Sequence, residues 1–111
     1  MATPLHPAIQ PNQVDRKRIE RKLKNRARYR YVHPRIVPED GGYRIESPCC
    51  SRNVDHDGGV IDIARLEYAA PLWRLYRKDH PCNAWLLYAE TATLMAALDI
   101  LLPDTDRVFW P

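Results

Sequence analysis

Two groups of residues in this 111-residue chain carry side chains suited to binding or chemistry. The first is a run of nine Lys and Arg residues between Val14 and Tyr31, opposed only by Asp15 and Glu20, so the segment has a net charge of +7. The rest of the chain carries −4, which leaves +3 overall. Such an uneven distribution of charge along a chain is typical of a protein with a polyanionic partner.

The nine cations are predicted to contact the phosphates of a nucleic acid, which attract Lys and Arg through Coulomb forces and counterion release. Arginine can also bind guanine edges in the major groove, and Tyr29 and Tyr31 could stack on bases. Double-stranded DNA is favoured over RNA because the sequence shows no signature of an RNA-binding module. The predicted nucleic-acid-binding residues are Arg16, Lys17, Arg18, Arg21, Lys22, Lys24, Arg26, Arg28 and Arg30.

The second group consists of residue types that bind zinc: Cys49, Cys50, His56, His80 and Cys82. Adjacent cysteines are poorly disposed for tetrahedral ligation compared with the usual Cys-x-x-Cys spacing, and no second such pair occurs. Three cysteines cannot all pair within one chain. We therefore expect free thiols, as in a reducing cytoplasm, with no metal and no other cofactor.

An enzymatic alternative rests on Cys50, His56 and Asp57, which could act as nucleophile, base and orienting acid. They lie in one loop beside two glycines, however, and Asp before Gly is typical of a turn. The sequence therefore predicts no catalytic residue, no enzymatic activity and no small-molecule substrate.

A helix is predicted to carry the basic run over residues 13–31. Asn12 is a suitable N-cap, and Asp15 lies near the positive end of the helix dipole. His33-Pro34 ends the helix, because a residue before proline avoids the α region. A narrow apolar stripe at every fourth residue would dock one edge of the helix on the core: Ile19, Leu23, Ala27 and Tyr31.

The remainder of the chain predicts an antiparallel meander of four or five strands between Arg35 and Tyr88, then a helix over 92–102 capped by Thr91. Strand alternation would place Trp73 and Leu75 on one face of the sheet together with Trp85 and Leu87. Residues 1–13, with three prolines, are predicted to form an extended or disordered arm, and residues 14–111 a single α+β domain.

The aromatic pattern of the C-terminal two thirds resembles a small bacterial family, domain of unknown function 3024. The resemblance rests on Trp73-Arg-Leu75-Tyr76, Arg77-Lys78-Asp79, Trp85-x-x-Tyr88 and Asp106-x-x-Phe109-Trp110. The Cys-Cys stretch at 47–59 departs from the family pattern. The resemblance implies a bacterial protein with a compact α+β fold, and it implies no catalytic residue.

These observations predict a bacterial, cytoplasmic protein that binds DNA through its basic helix; a regulatory role is expected by association alone. No apolar run approaches the roughly 20 residues needed to span a bilayer, so no membrane partner is expected. A homodimer is expected from the proline-rich arm, the narrow helix stripe and the aromatic tail at Phe109-Trp110, which should fold onto the sheet or a second subunit. The alternative function is a protein-interaction module whose basic helix docks on an acidic protein.

Overall fold

The computed structural model describes residues 9–27, 29, 31–49 and 59–111, and it has the α+β fold expected from the sequence. A five-stranded antiparallel sheet with strand order β1-β2-β3-β4-β5 lies between two helices along the chain. The elements are α1 (Gln13–Leu23), β1 (Arg35–Glu39), β2 (Gly42–Pro48), β3 (Val60–Ala69), β4 (Leu72–Asp79), β5 (Ala84–Thr91) and α2 (Leu94–Leu101). Several residues named above lie outside the described part of the chain: residues 1–8, Arg28, Arg30, Cys50, His56 and Asp57.

Both helices contribute to the same hydrophobic core as the inner face of the sheet. Ile19 and Leu23 of α1 are 0% and 3% exposed, and Leu98 and Leu101 of α2 are fully buried. Among the described residues, neither helix has the length and apolar character required to cross a membrane. Because the buried residues lie on one face of each helix, that face packs on the sheet and the other face is available to solvent.

The predicted helix over 13–31 is wrong in its C-terminal half, because α1 ends at Leu23. Leu23 is the last residue of the stripe to reach the core; Ala27 is exposed, and the Tyr31 side chain is 96% exposed. Beyond the helix the Ala27 N–H donates to the Leu102 carbonyl, and Tyr29 adopts a left-handed φ of 58°. The apolar residues of the stripe continue at every fourth position in the sequence. The chain nevertheless leaves the helix after Leu23 and runs beside the end of α2.

The C-terminal aromatic pair folds onto the chain's own core, which was one of the two predicted locations. Phe109 and Trp110 are 2% and 0% exposed. The Asp104 carboxylate holds this segment by accepting hydrogen bonds from the backbone N–H groups of Val108, Phe109 and Trp110, at 2.6–3.2 Å. The Trp110 indole N–H donates to the Leu101 carbonyl at 3.2 Å, so the buried polar atom of this side chain is satisfied.

Two details of the last hairpin and of α2 differ from the predictions. Thr93, not Thr91, caps α2, accepting from the Ala96 N–H at 3.0 Å. A register shift after Leu75 pairs Tyr76 with Leu87 and Lys78 with Trp85.

Directly paired residues project from the same face of a sheet. Trp85 and Leu87 therefore share the outer face with Lys78 and Tyr76, while Trp73 and Leu75 face the core. The predicted grouping of all four apolar residues on one face is wrong, because strict alternation does not survive a bulge.

We predict that Trp110→Ala lowers the free energy of unfolding by about 3–5 kcal/mol, since it removes a fully buried aromatic side chain and leaves a cavity. Urea denaturation followed by circular dichroism measures this change. Tyr31→Ala, at a 96% exposed position, is the control and should change it by less than about 0.5 kcal/mol. Equal effects of the two variants would contradict the described core.

Candidate nucleic-acid interface

The N-terminus of α1 is fixed to the sheet by a polar network. As predicted, Asn12 caps the helix, its side-chain oxygen accepting from the Asp15 N–H at 2.8 Å. The Asn12 N–H donates to the Tyr43 hydroxyl at 2.8 Å, and that hydroxyl donates to the Gln10 side-chain oxygen at 2.7 Å. Burial raises the pKa of Tyr43 above its ordinary value. The buried Asp15 carboxylate completes the network by accepting from the Gln10 amide at 2.7 Å.

Three of the predicted cations form one row on the solvent side of α1. Lys17, Arg21 and Lys24 are spaced i, i+4 and i+7, which places them on the helix face opposite the buried Ile19 and Leu23. All three cations are exposed, and Lys24 continues the helical backbone as the C-cap, with φ −63° and ψ −21°. Within the described ranges, no carboxylate lies within 4 Å of any of them. We call these three residues the cationic row.

The cations beside the cationic row are partly compensated by the two acids of the helix. Arg18 binds Asp15 at 3.1 Å, and Arg16 lies 3.5 Å from Glu20. Lys22 is partly exposed and has no ion pair in the part of the chain that the structure describes. Even when both acids are counted, the segment from Gln13 to Ala27 retains a net charge of +5.

Arg26, predicted to contact nucleic acid, is instead a structural residue. Its guanidinium donates to the backbone carbonyls of Leu23 at 2.7 Å, of Tyr29 at 2.7 and 3.1 Å, and of Val32. It also lies over the Trp110 ring, 5.9 Å from the centroid. Burial lowers the pKa of Arg26. The carbonyls of Leu23 and Tyr29 also accept backbone N–H groups, so the guanidinium adds to the hydrogen bonds that close the helix end and its following turn.

Tyr29 is likewise unsuited to its predicted role of base stacking. Its ring packs edge-on against Trp110 with centroids 5.4 Å apart, and its hydroxyl donates to the Pro111 carbonyl at 2.8 Å. Tyr31, by contrast, projects into solvent. The different exposure of Tyr29 and Tyr31 could not be predicted from their spacing, because the burial of Tyr29 depends on a C-terminal segment about 80 residues away in sequence.

Five of the six acidic residues on the strands form ion pairs with cations of the sheet; the sixth is Asp79. An ion-pair network crosses its outer face, with five cations and five carboxylates joined by contacts such as Arg44–Asp62 at 2.9 Å and Lys78–Asp62 at 3.1 Å. None of the ion pairs among the described residues joins α1 to the sheet. The cations of the network are Arg35, Arg44, Arg65, Arg74 and Lys78, and its carboxylates are Glu39, Glu46, Asp62, Glu67 and Glu90.

A groove of about 520 Å³ runs between α1 and the edge strand β1. Its walls are apolar and include Leu23 and Ile36, while its rim carries more basic than acidic groups. Lys24 belongs both to this rim and to the cationic row. The polar rim residues are Arg16, Glu20, Lys24, Arg26, His33 and Arg35. Sequence reasoning missed His33 and Arg35 because they belong to the turn after α1 and to β1.

The predicted zinc ligands are only partly covered by the structure. Cys49 is half-buried and Cys82 is exposed. Among the described residues, no group of three or more His, Cys, Asp or Glu side chains is placed to hold a metal ion. Cys50 and His56 lie outside that part of the chain, so the complete set of five is not tested.

A family model for the domain of unknown function DUF3024 matches residues 6–111. The chain belongs to this family. The match extends over the basic helix as well as the aromatic segments that suggested the resemblance, so α1 is part of the DUF3024 domain. Neither a curated protein nor a solved structure matches the chain. Any function must therefore be argued from the surface of the domain itself.

The two kinds of basic residue in α1 and its following turn should respond differently to substitution. Arg26→Gln should lower the free energy of unfolding by about 1–3 kcal/mol, because it removes several charge-assisted hydrogen bonds to partly buried carbonyls. Arg21→Gln should change it by less than about 0.5 kcal/mol, because Arg21 is an exposed surface residue. Urea denaturation of both variants measures the difference, and equal stabilities would contradict the structural role of Arg26.

Acid should weaken the sheet through its carboxylates. The hydrogen bond from Arg35 lowers the pKa of Glu46; burial opposes ionisation of Asp62, but hydrogen bonds from Arg44 and Lys78 still lower its pKa. A carboxylate with a lowered folded-state pKa stabilises the fold above its ordinary pKa, and that stability is lost as the pH falls.

We therefore expect the free energy of unfolding to decline as the pH drops below about 4.5, the ordinary pKa of glutamate. Denaturant titrations from pH 7 to pH 3 measure this decline. Glu46→Gln should flatten it, whereas Asp106→Asn, which alters an exposed carboxylate, should leave it unchanged. An identical decline in wild type and Glu46→Gln would show that the network does not determine acid stability.

Proposed function

We propose that this protein binds double-stranded DNA by laying the exposed face of α1 along the phosphate backbone. The observation that supports this most strongly is the cationic row of Lys17, Arg21 and Lys24, which has no carboxylate partner in the described part of the chain. Unpaired cations aligned on an exposed helix face release counterions when they neutralise phosphates, and this release supplies most of the affinity in backbone binding. The proposal includes a bacterial cytoplasmic location, where DNA is accessible.

The dimensions of the row suit a polyphosphate. At a rise of about 1.5 Å per residue, Lys17 and Lys24 are about 10 Å apart along the helix axis. One DNA strand presents a phosphate about every 3.4 Å along its axis, so the row spans about three nucleotides. Long, exposed Lys and Arg side chains can adjust to this spacing without a change in the backbone.

The groove beside α1 adjoins the cationic row on the side of β1, where Arg35 is paired with Glu46. Lys24 stands on its rim, and His33 and Arg35 lie on the side formed by the turn and the edge strand. A duplex lying on the cationic row would place a neighbouring phosphate near this rim. The cationic row contacts phosphates and not base edges. We therefore expect affinity for the DNA backbone without a sequence preference.

Removing two charges of the row should weaken DNA binding. Arg21→Gln with Lys24→Gln should reduce the affinity for a 20-base-pair duplex at least about tenfold at 50 mM salt. The slope of log affinity against log salt concentration should become shallower by about 1.8, since each lost phosphate contact contributes about 0.9. Fluorescence anisotropy with a labelled duplex at four salt concentrations measures both quantities.

A charge-matched control separates this site from a general effect of net charge. Arg77→Gln with Arg107→Gln removes two positive charges that have no ion pair among the described residues and lie outside α1. This variant should keep both the affinity and the salt slope of wild type. Equal losses in the two double variants would contradict the proposed surface. Failure of wild type to bind any duplex at 50 mM salt would favour the alternative, docking on an acidic protein.

A further inference from the structure

The edge strand β1 leaves the backbone N–H and C=O of Ile36 without a partner in the described part of the chain. The Tyr68 N–H donates to the Gly41 carbonyl at 2.9 Å, and bonded pairs alternate along an antiparallel ladder, so Tyr43 and Ile45 direct their backbone groups to β3. Ile36 lies opposite Ile45, and its own N–H and C=O therefore point away from the sheet. The residue is only 6% exposed. Because buried backbone groups are nearly always hydrogen-bonded, this edge suits a ligand that supplies one acceptor and one donor.

β1 offers such pairing over a short distance only. The residues of the strand whose backbone groups face away from β2 are Ile36 and Pro38. Proline has no N–H, so Pro38 presents an acceptor and no donor. A long added strand is therefore disfavoured along this edge, whereas a short extended segment centred on Ile36 can pair with it.

The groove between α1 and β1 provides the space for such a segment. Its volume of about 520 Å³ lies within the usual range of ligand sites, about 300–1,000 Å³. Ile36 lines the groove on the side of β1, and Leu23 lines it on the side of α1. A side chain placed opposite Ile36 and on the same face of the sheet therefore meets apolar groups on both walls.

α1 and β1 run antiparallel along this groove. Arg16, in the first half of α1, and Pro38, near the end of β1, both line a smaller cavity that adjoins the groove. At the other end, Arg26 donates to the Val32 carbonyl and so joins the end of α1 to the turn before β1. Arg16 and Lys24 therefore lie at opposite ends of the groove, about 12 Å apart along the helix at about 1.5 Å per residue.

Both ends of the groove carry more positive than negative charge. Lys24 has no carboxylate within 4 Å in the part of the chain that the structure describes. The Arg16 Nε is buried and makes no hydrogen bond, although Glu20 lies 3.5 Å from it. Glu20 lies between the two cations in sequence and lines the same groove, so a third negative group is disfavoured at the centre. The groove thus complements a ligand with acidic ends and a neutral middle.

We propose that this groove binds a short extended peptide, which adds antiparallel to β1 and has acidic, apolar and acidic side chains at alternate positions. The apolar residue exchanges two backbone hydrogen bonds with Ile36 and lies against Leu23, because directly opposed residues share one face of a sheet. In this mode of recognition the main chain supplies affinity and alternate side chains supply specificity. The peptide site goes beyond the proposed DNA binding and shares only Lys24 with the cationic row.

The spacing of the acidic side chains follows from strand geometry. Residues two before and two after the apolar residue project from the same face, and they are about 13 Å apart at about 3.3 Å per residue. This separation matches the roughly 12 Å between Arg16 and Lys24. Because the peptide runs antiparallel to β1, its first acidic residue faces Arg16 and its second faces Lys24.

The backbone pairing is tested by NMR titration with the acetylated and amidated peptide Ser-Glu-Thr-Val-Thr-Glu-Ser. The Ile36 amide should move downfield as its N–H gains an acceptor, and the amides of Leu23 and Lys24 should also shift. The same peptide with an N-methylated valine lacks the donor for the Ile36 carbonyl and should bind roughly five- to tenfold more weakly. Equal affinities of the two peptides, or an unchanged Ile36 amide at 1 mM peptide, would overturn the proposal.

A charge exchange tests the direction of the peptide. Lys24→Glu should weaken binding at least about tenfold, and a peptide with lysine at the second glutamate should restore it, whereas lysine at the first glutamate should not. Arg107→Glu, which makes the same change of charge at an exposed position outside the groove, is the matched control and should bind as wild type does. Equal effects of the two protein variants, or restoration through the first glutamate, would contradict the assigned site and direction.

Two further titrations test other occupants of the groove. Hexanoate, an apolar carboxylate without a peptide backbone, should shift the Ile36 amide far less than the peptide does. The Ile36 amide should also stay constant when the free protein is diluted from 500 to 20 μM. A hexanoate effect equal to that of the peptide would assign the groove to small anions, and a dilution effect would assign it to a second copy; either result overturns the proposal. None of these measurements uses DNA, so their failure is distinguishable from a failure of the proposed DNA binding.

Discussion

The cancellation of charge on the outer face of the sheet is the constraint from which the properties of α1 follow. Five cations and five carboxylates pair there with one another, so none of these carboxylates is left to pair with the basic helix. Within α1 itself, Asp15 binds Arg18 and Glu20 lies near Arg16. The cations of the row are consequently left facing solvent, where a polyanion is the partner that their charge and spacing suit.

A limited set of contacts fixes the basic helix in position. Ile19 and Leu23 dock it on the core, Asn12 and Asp15 join its start to Tyr43, and Arg26 closes its end. This arrangement uses one buried stripe and the two termini, so most of the helix circumference is free of tertiary contacts. A rigidly held helix with an exposed charged face loses little conformational entropy when it binds, which favours backbone recognition by charge alone.

The sequence predicted the fold well where local patterns determine it. Strand alternation predicted the meander, and Asn12 predicted the start of α1 through its capping chemistry. The end of α1 was not predictable from periodicity, because Ala27 and Tyr31 continue the spacing of the stripe while the chain has already turned away. That turn depends on Arg26, Tyr29 and Trp110, which meet only in the folded molecule. The faces of β5 were likewise mispredicted, since a bulge reverses alternation and carries no clear sequence signal here.

For the candidate site, the sequence identified the basic segment but could not separate its members. Arg21 and Arg26 have the same side chain and similar neighbours, yet one faces solvent and the other binds backbone carbonyls. The most direct test of the account is an NMR titration of the arginine Nε–Hε signals and backbone amides with duplex DNA at 50 mM salt. The account predicts shifts for Arg21 and the amides of residues 17–24, with Arg44 and Arg65 unchanged. Shifts confined to the sheet arginines, or none at a duplex excess, would contradict it.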